Sequence, residues 1–363
     1  MEREQNYLGT VFAEYQASPA WSGRVLLGGQ SRRYESENPG PSGTQVTLVR
    51  NQRGVLDWQN THAPTGSAHR LTAGLTAEGN HTRNTGFGNI NERQNLLAFF
   101  AEEEWTPAPN LHLTAGLRSD DHDTFGHATT GRATAAWRPA PGRVKLRASY
   151  GTAFRSPGFL DLYGQSSFYV GNPELKAEKA RGWDAGADFY LPQGDGTLSV
   201  TWFDTRFRDL IVFDFGVFPG TTANVDRARA CGVEVSARGR VAGVFECRLG
   251  YTFLEADNLT TGERLLRRPR NSASVDGWHD FGGGISVGAG LVWVAGRRDV
   301  HAATFATIDA EDYTVVRLYA AWTVTQRVTL KARIENLFDE RYEEVHGYPA
   351  LGRGFFAGVE SRF

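Results

Sequence analysis

The sequence predicts an all-β protein, an antiparallel barrel that crosses a membrane with strands. Three observations predict it. About 17 segments alternate apolar and polar side chains at period two, the strand periodicity. The connections alternate in kind: every second one is a short turn rich in Pro or Gly, and the others are longer and more polar. No segment shows helical periodicity over about ten residues, and no apolar run is long enough for a membrane helix.

The elements follow in order. Residues 5–17 alternate Leu8, Thr10, Phe12 and Glu14 against Gly9, Val11, Ala13 and Tyr15. Ser18-Pro19-Ala20 turns the chain, and from Trp21 it sets Gly23, Val25 and Leu27 against Ser22, Arg24 and Leu26. The stretch 37–45 reads as a polar loop, and strand-like sequence resumes from Val46 to about Asn60. After the turn at Ala63–Gly66, Leu71, Ala73, Leu75 and Ala77 share a face. A loop at 81–90 leads to a strand through Leu97, Phe99 and Ala101 to Trp105, and the turn Pro107–Asn110 delivers Leu111, Leu113, Ala115 and Leu117. A strand ending at Trp137 and the turn Pro139–Gly142 precede Val144, Leu146, Ala148 and Tyr150. The longest irregular segment is 156–176. Beyond it, Trp183, Ala185, Ala187 and Phe189 lead to a Gln193–Gly196 hairpin turn, where Gly accepts positive φ. Leu198, Val200 and Trp202 begin the next strand; Val233, Val235 and Ala237 mark another, which turns near Val241. Phe245, Cys247, Leu249, Tyr251 and Phe253 oppose Glu246, Arg248 and Thr252. Ile285 to Trp293 and Thr314 to Trp322 alternate likewise. The last hairpin sets Val328, Leu330, Ala332 and Ile334 beside Phe355, Ala357, Val359 and Phe363.

One face of this pattern carries Arg, Lys, Glu and Asp. A filled hydrophobic barrel would bury those charges at high cost, whereas a lumen holding water or a polar plug accommodates them. Short turns on one side and longer loops on the other are the asymmetry of outer-membrane barrels. It directs the last strand towards the periplasm and the long loops to the cell surface. Trp105, Trp137 and Trp322 stand just before short turns, and Trp21 just after one, where an interfacial aromatic girdle belongs. A net charge of -2 gives nucleic acid no general attraction. Cys231 and Cys247 fall on consecutive strands but out of register, so they are expected to be free thiols on the apolar face. The start, Met1 to Gln16, lacks a basic region followed by an apolar stretch and does not read as a secretory signal.

Four stretches carry a family resemblance. They are N-L-F-D-x-x-Y from Asn336, Leu337, Phe338 and Asp339 to Tyr342, with Gly347, Tyr348, Gly352 and Arg353 beyond it; G-T-A-F-R-S-P from Gly151; G-N-P-E-L from Gly171; and the basic, Pro-bearing run from Arg264. Together with the terminal Phe363, they resemble the TonB-dependent receptors of the Gram-negative outer membrane, and most of all their vitamin B12 branch. The resemblance implies a transporter, not an enzyme, and no cofactor. It implies a parent with a plug and about 22 barrel strands, of which residues 1–363 would be the C-terminal barrel part, without the plug, the TonB-contact box and the first strands. An odd set of strands is expected to leave an open seam, which lipid does not tolerate. The implied partners are the TonB energy-transducing complex, the barrel assembly machinery reading Phe363, outer-membrane lipid and a metal-chelate ligand.

Candidate ligand contacts follow from chemistry and loop position. Tyr163, Phe168, Tyr169 and Tyr348 can pack rings on a large rigid ligand, and Arg353 can meet carboxylate or phosphate. Phe338 and Tyr342 are expected to pack the terminal hairpin. His122 and His127, near Asp120, Asp121 and Asp123, could hold a hard cation, although such clusters are commonly solvated loop tips; the metal content is open. Active, TonB-coupled uptake of cobalamin or a related chelate such as a ferric siderophore is the leading expectation. A passive channel or surface-binding barrel is the alternative, and a soluble all-β binding protein the third.

Overall fold

The computed structural model describes residues 2–362 except 41–42, 193–194, 215, 242–243 and 302. The expected assembly residue Phe363 and parts of two expected short turns, Gln193-Gly194 and Ala242-Gly243, lie outside the described residues. The strands are β1 (Glu2–Ser18), β2 (Trp21–Gly40), β3 (Gly43–His62), β4 (His69–Asn84), β5 (Ile90–Ala108), β6 (Leu111–His122), β7 (Gly126–Ala140) and β8 (Val144–Arg155). A short helix, α1 (Phe159–Tyr163), and β9 (Tyr169–Val170) follow. Next come β10 (Glu178–Tyr190), β11 (Gly196–Asp214), β12 (Gly220–Val241), β13 (Phe245–Asn258), β14 (Asn271–Asp280) and β15 (Ile285–Ala295). The chain ends with β16 (Arg297–Val300), β17 (Thr307–Ala310), β18 (Tyr313–Thr325), β19 (Val328–Glu335), β20 (Glu343–Val345), β21 (Tyr348–Pro349) and β22 (Gly354–Ser361). Seventeen of these strands have eight or more residues; the other five lie in the long connections.

The chain divides into two compact units. The first contains Met1–Ala136, Ser149–Gly182 and Arg206–Ala228. Its strands β1 to β6 pair in sequence order, each antiparallel to the next. Their register places Val25, Trp58, Leu75 and Phe99 in one row and Leu27, Leu56, Ala77 and Leu97 in another, both on the same face. The opposite face carries polar pairs, such as Arg53 with Glu78 at 2.6 Å and Thr76 with Asp57 at 2.8 Å. The expected polar loop at 37–45 is a correction: β2 and β3 stay paired up to Gly40 and Gly43. Backbone groups pair whatever the side-chain polarity, so a register set lower down by Val25 and Trp58 runs on through polar sequence. Pro39, which has no N–H to give a ladder, sits near the hairpin end.

The second unit contains Trp137–Ala148, Trp183–Thr205 and Arg229–Phe363. Here β13, β14, β15, β18, β19 and β22 pair in that order, all antiparallel. Leu249, Val275, Leu291 and Val316 share one row, and Leu318, Ile334 and Phe355 another. The terminal hairpin has the expected faces: Lys331 reaches Glu360 at 2.5 Å, and Arg333 lies over Phe356, on the side opposite Leu330 and Val359. On the same charged face, Arg317 and Tyr319 both donate to Asp276, each at 2.6 Å. A Cβ on Gly290 would approach both Arg317 and Asp276 within 2.7 Å, so this glycine makes room for the pair. Cys231 and Cys247 are free, and Cys247 shares the apolar face with Leu249.

Burial is inverted relative to a water-soluble core. The largest fully buried side chains are Asp120, Asp299 and Pro157, while Leu117, Trp183, Trp322 and Val359 are exposed. Contiguous apolar rows on an exposed sheet face mark a surface made for lipid, not water. Trp21, Trp105, Trp137 and Trp322 are all exposed near short turns. Trp21 donates its indole N–H to Asn60 at 3.1 Å, and Trp105 stacks on His69. Such rings keep an apolar body and a satisfied polar tip, as interfacial residues need.

Leu291→Arg, in the middle of the apolar face, should destabilise the inserted protein by about 2–4 kcal/mol. Val292→Arg, one residue on and on the other face, should cost well under half of that. Urea unfolding in lipid vesicles measures both, and equal costs would contradict the face assignment.

Candidate functional site

In the first unit, the 156–176 segment is a built loop rather than a floppy one. Arg155 closes its base with a bidentate pair to Glu178, at 2.5 and 2.8 Å, and Glu178 also accepts the Ile211 N–H at 2.7 Å. Pro157, Leu162, Leu175 and Ala177 are buried beneath it. Asn172 donates to the Thr222 carbonyl at 3.0 Å, and Thr222 donates to the Asp161 carbonyl at 2.9 Å. A side chain on Gly171 would strike the Leu162 backbone at 2.7 Å. The two short motifs around this loop therefore supply its frame.

The expected ligand residues of this loop separate by role. Tyr169 is only 7% exposed. Its hydroxyl lies 3.1 Å from the Leu160 carbonyl and 3.2 Å from Thr222 Oγ1, and its ring stacks on Phe213. Burial pushes its phenol pKa up, with the Thr222 hydrogen bond acting the other way. Tyr169 is thus a packing residue in this structure. Tyr163 is half-buried, and burial, then Glu92 and Asp123, raise its pKa. Phe168 is 73% exposed and is the ring this loop offers to solvent.

The second unit holds a separate loop cluster, centred on a carboxylate 1% exposed. Asp299 accepts the Arg267 guanidinium at 2.8 Å, the Val300 N–H at 2.8 Å and the His346 N–H at 2.7 Å. Burial alone would push the Asp299 pKa up, but the His346 N–H, Arg267 and the Val300 N–H outweigh it and hold the carboxyl below the usual range. Beside it, the buried Arg297 donates to the carbonyls of Glu343 at 2.7 Å, of Glu344 and of Glu311. One acid and one base thus tie β16, β20 and the 267 loop together.

The N-L-F-D motif builds the next layer. Asn336, buried and at φ 50, donates to the Glu340 and Leu351 carbonyls at 2.8 and 3.3 Å and accepts the Glu340 N–H at 2.8 Å. Asp339 accepts the Arg353 N–H at 2.8 Å, and a Cβ on Gly352 would meet that carboxylate at 2.7 Å. Leu337 donates its N–H to Val316 at 2.8 Å. Tyr342 packs against Tyr313 at the start of β18, with ring centres 4.2 Å apart. Phe338 does not: it is 71% exposed, because Asn336 and Asp339 make the turn and leave the ring outside it. Tyr348 is 74% exposed, and the Arg353 side chain is exposed as well.

The acidic and histidine cluster near 120–127 does not converge on a cation. Asp120 is buried against Arg118 at 2.9 Å, and Asp123 accepts the Asn95 N–H at 2.8 Å. Asp121 lies opposite Leu97 on the other face of β6. Among the described residues no group of three or more His, Cys, Asp or Glu is placed to hold a metal ion.

Known proteins bear out this architecture. The family described as TonB dependent receptor-like, beta-barrel, matches residues 3–337. The chain belongs to the β-barrel family of TonB-dependent receptors. It is 31% identical over 332 residues to the vitamin B12 transporter BtuB of Vibrio vulnificus (strain YJ016), covering 87% of this chain and 51% of that protein. It therefore spans about half the length of that curated relative. The ferric enterobactin receptor PfeA of Pseudomonas aeruginosa has the same fold, with a TM-score of 0.84 at 16% identity over 100% of this chain and 62% of that one. The copper transporter OprC gives 0.80 at 18% identity over 99% and 65% of the two chains. These likenesses run across the cobalamin and siderophore branches, so they show the family and not the branch. TonB-dependent receptors are outer-membrane transporters, not enzymes. The family stretches of this chain are the ones that frame its loops.

Two expectations follow. Asp299→Ala should leave Arg267 and two amides without their acceptor, at about 1–3 kcal/mol, so that the His346 and Val300 amides exchange at least tenfold faster while the wall strands stay protected. In the unaltered protein the contribution of Asp299 is complete above the ordinary carboxylate value of about 4. It is lost only as pH falls through the depressed value of the folded state. Loss of His346 protection already at about pH 6 would contradict this assignment.

Proposed function

We propose that this chain forms the barrel wall and outer-loop surface of a TonB-coupled importer of cobalamin or a related metal chelate such as a ferric siderophore. The observation that carries it is the construction of the loops. Each unit spends polar groups on holding a frame: the buried Thr222 and half-buried Asn172 in one, the buried Asp299 and Asn336 in the other. Among the side chains left at the surface are two aromatic rings and a cation: Phe168, Tyr348 and Arg353. Rigid rings bind a large planar ligand with little entropy to lose, and a guanidinium pairs with carboxylate or phosphate. The likeness to a vitamin B12 transporter supports the cobalamin reading.

Energy coupling requires the TonB complex as partner, and insertion requires the barrel assembly machinery. The protein carrying this chain, expressed in cells lacking their own cobalamin and siderophore receptors, should restore uptake of one of these chelates. Collapse of the inner-membrane proton gradient should abolish that uptake; uptake that persists unchanged would identify a passive channel instead. Arg353→Ala should weaken ligand binding about tenfold, from the loss of a charged hydrogen bond. Phe168→Ala and Tyr348→Ala should each cost about threefold to tenfold. Titration of radiolabelled ligand on whole cells measures all three, and unchanged affinities would remove these residues from the site.

A further inference from the structure

Three connections of the first unit meet in one place. Gln165 donates its N–H to the Phe87 carbonyl at 2.9 Å, and Gly220 donates to the Phe168 carbonyl at 2.9 Å. The start of β12 pairs with β9, Gly220 opposite Tyr169 and Thr221 opposite Val170, and the Thr221 hydroxyl donates to the Val170 carbonyl at 2.7 Å. The stretches 84–91, 162–173 and 216–224 therefore form one surface. It is backed by the polar face of the wall. Thr76, which donates to Asp57 on that face, stands opposite Ala98, and Ile90, Gln94 and Ala98 are buried along the same face of β5, where α1 packs. Away from lipid, that face borders the lumen.

The surface has no charge of its own. These 29 residues contain no Asp, Glu, Lys, Arg or His, in a chain that is 22% charged. The second unit is built otherwise: 263–270 carries Glu263, Arg264, Arg267, Arg268 and Arg270. The carboxylates that border the uncharged stretches are engaged by backbone. Asp161 accepts the Gly158 N–H at 2.9 Å, and Asp214 accepts the Gly216 N–H at 2.8 Å. Arg155 is held by Glu178, and the next cation along the chain is Lys176.

Rings take the place of charges. Phe87, Phe168, Phe213 and Phe218 are exposed, with Val170 among them. The frame orients these rings without covering them. Tyr169 stacks on Phe213 with ring centres 5.2 Å apart, and a Cβ on Gly220 would strike the Phe213 ring at 2.6 Å, so the glycine lets that ring lie against the backbone. A contiguous apolar cluster exposed to water marks a binding surface.

Charge decides what fits there. An anionic group set on this surface would lose its water and meet no cation in return. An uncharged apolar face has no such loss and gains ring contacts. We infer that this surface selects its chelate by charge: it accepts an uncharged, apolar face and turns polyanionic chelates away. The inference rests on the importer reading and narrows the class of cargo. Arg353, in the second unit, is a separate contact and is no part of this surface.

The test uses membranes of cells that lack their own cobalamin and siderophore receptors and express the protein carrying this chain. Four probes form two pairs: cyanocobalamin with its polycarboxylate, in which the peripheral amides are hydrolysed, and a neutral ferric trihydroxamate with a polyanionic ferric tris-catecholate. At least one neutral probe should bind, and its polyanionic counterpart at least tenfold more weakly. Ser167 is exposed beside Phe168. Ser167→Arg should narrow that gap at least threefold with little change for the neutral probe, whereas Ser167→Gln, which adds reach without charge, should leave the gap as it is. Phe218→Ala should weaken the neutral probe about threefold to tenfold. A polyanionic probe that binds as tightly as its neutral counterpart would overturn the inference and leave the importer reading standing. So would a gap that Ser167→Arg does not move, in protein shown to be folded by its heat-modifiable gel migration. If none of the four probes binds, the importer reading itself fails, and the inference falls with it.

Discussion

An unpaired backbone N–H or C=O in hydrocarbon costs several kcal/mol. That constraint organises this chain. It requires strands that stay paired across the whole hydrocarbon band, about 9–11 residues, and β1 to β5, with 16 to 20 residues, run beyond it. Beyond the hydrocarbon, the register set in the wall carries pairing on through polar sequence, as at 37–40 with 43–46. Once neighbours are in register, each row of side chains belongs wholly to one face. The hydrophobic effect then works outwards, on lipid, and the protein has little apolar interior of its own to bury.

The loops solve a different problem in water. They have few large apolar side chains to cover, so they are held by buried polar hubs. Asp299, Arg297 and Asn336 each make several hydrogen bonds that tie separate segments together. A hub of this kind is stiff because removing one partner strands the rest without hydrogen bonds. It also leaves the tips free to carry exposed rings, as Phe168 and Tyr348 do.

Much of the wall was legible in the sequence, and for a simple reason. A period of two is local, and so is a turn such as Pro139–Gly142, so the faces of β6, β13, β15, β18, β19 and β22 can be read strand by strand. The loops were legible only in part. Tyr169 and Tyr348 look alike as aromatic loop residues, but Thr222 and Phe213, far along the chain, bury the first and nothing buries the second. The same non-locality hides Asp299, whose partners at 267 and 346 cannot be inferred from spacing. The acidic run at 120–123 misled in the opposite way. Consecutive strand residues point to opposite faces, so Asp120 and Asp121 cannot share a cation while β6 remains a strand.

The roles of the motif residues separate kinship from cargo. Asn336 and Asp339 close the last loop on Leu351 and Arg353, and Gly352 leaves the space that Asp339 needs. Pro157, Gly171 and Asn172 do equivalent work beneath α1. These are among the residues by which the chain resembles its family, and they are engaged inside the frame. Other residues of the same stretches, Phe338, Tyr348 and the Arg353 side chain, are left outside it. Resemblance in such stretches therefore carries fold and mode of action more securely than it carries the identity of what is transported. Under the function we propose, specificity is to be sought in Phe168, Tyr348 and the Arg353 side chain, which the frame leaves at the surface.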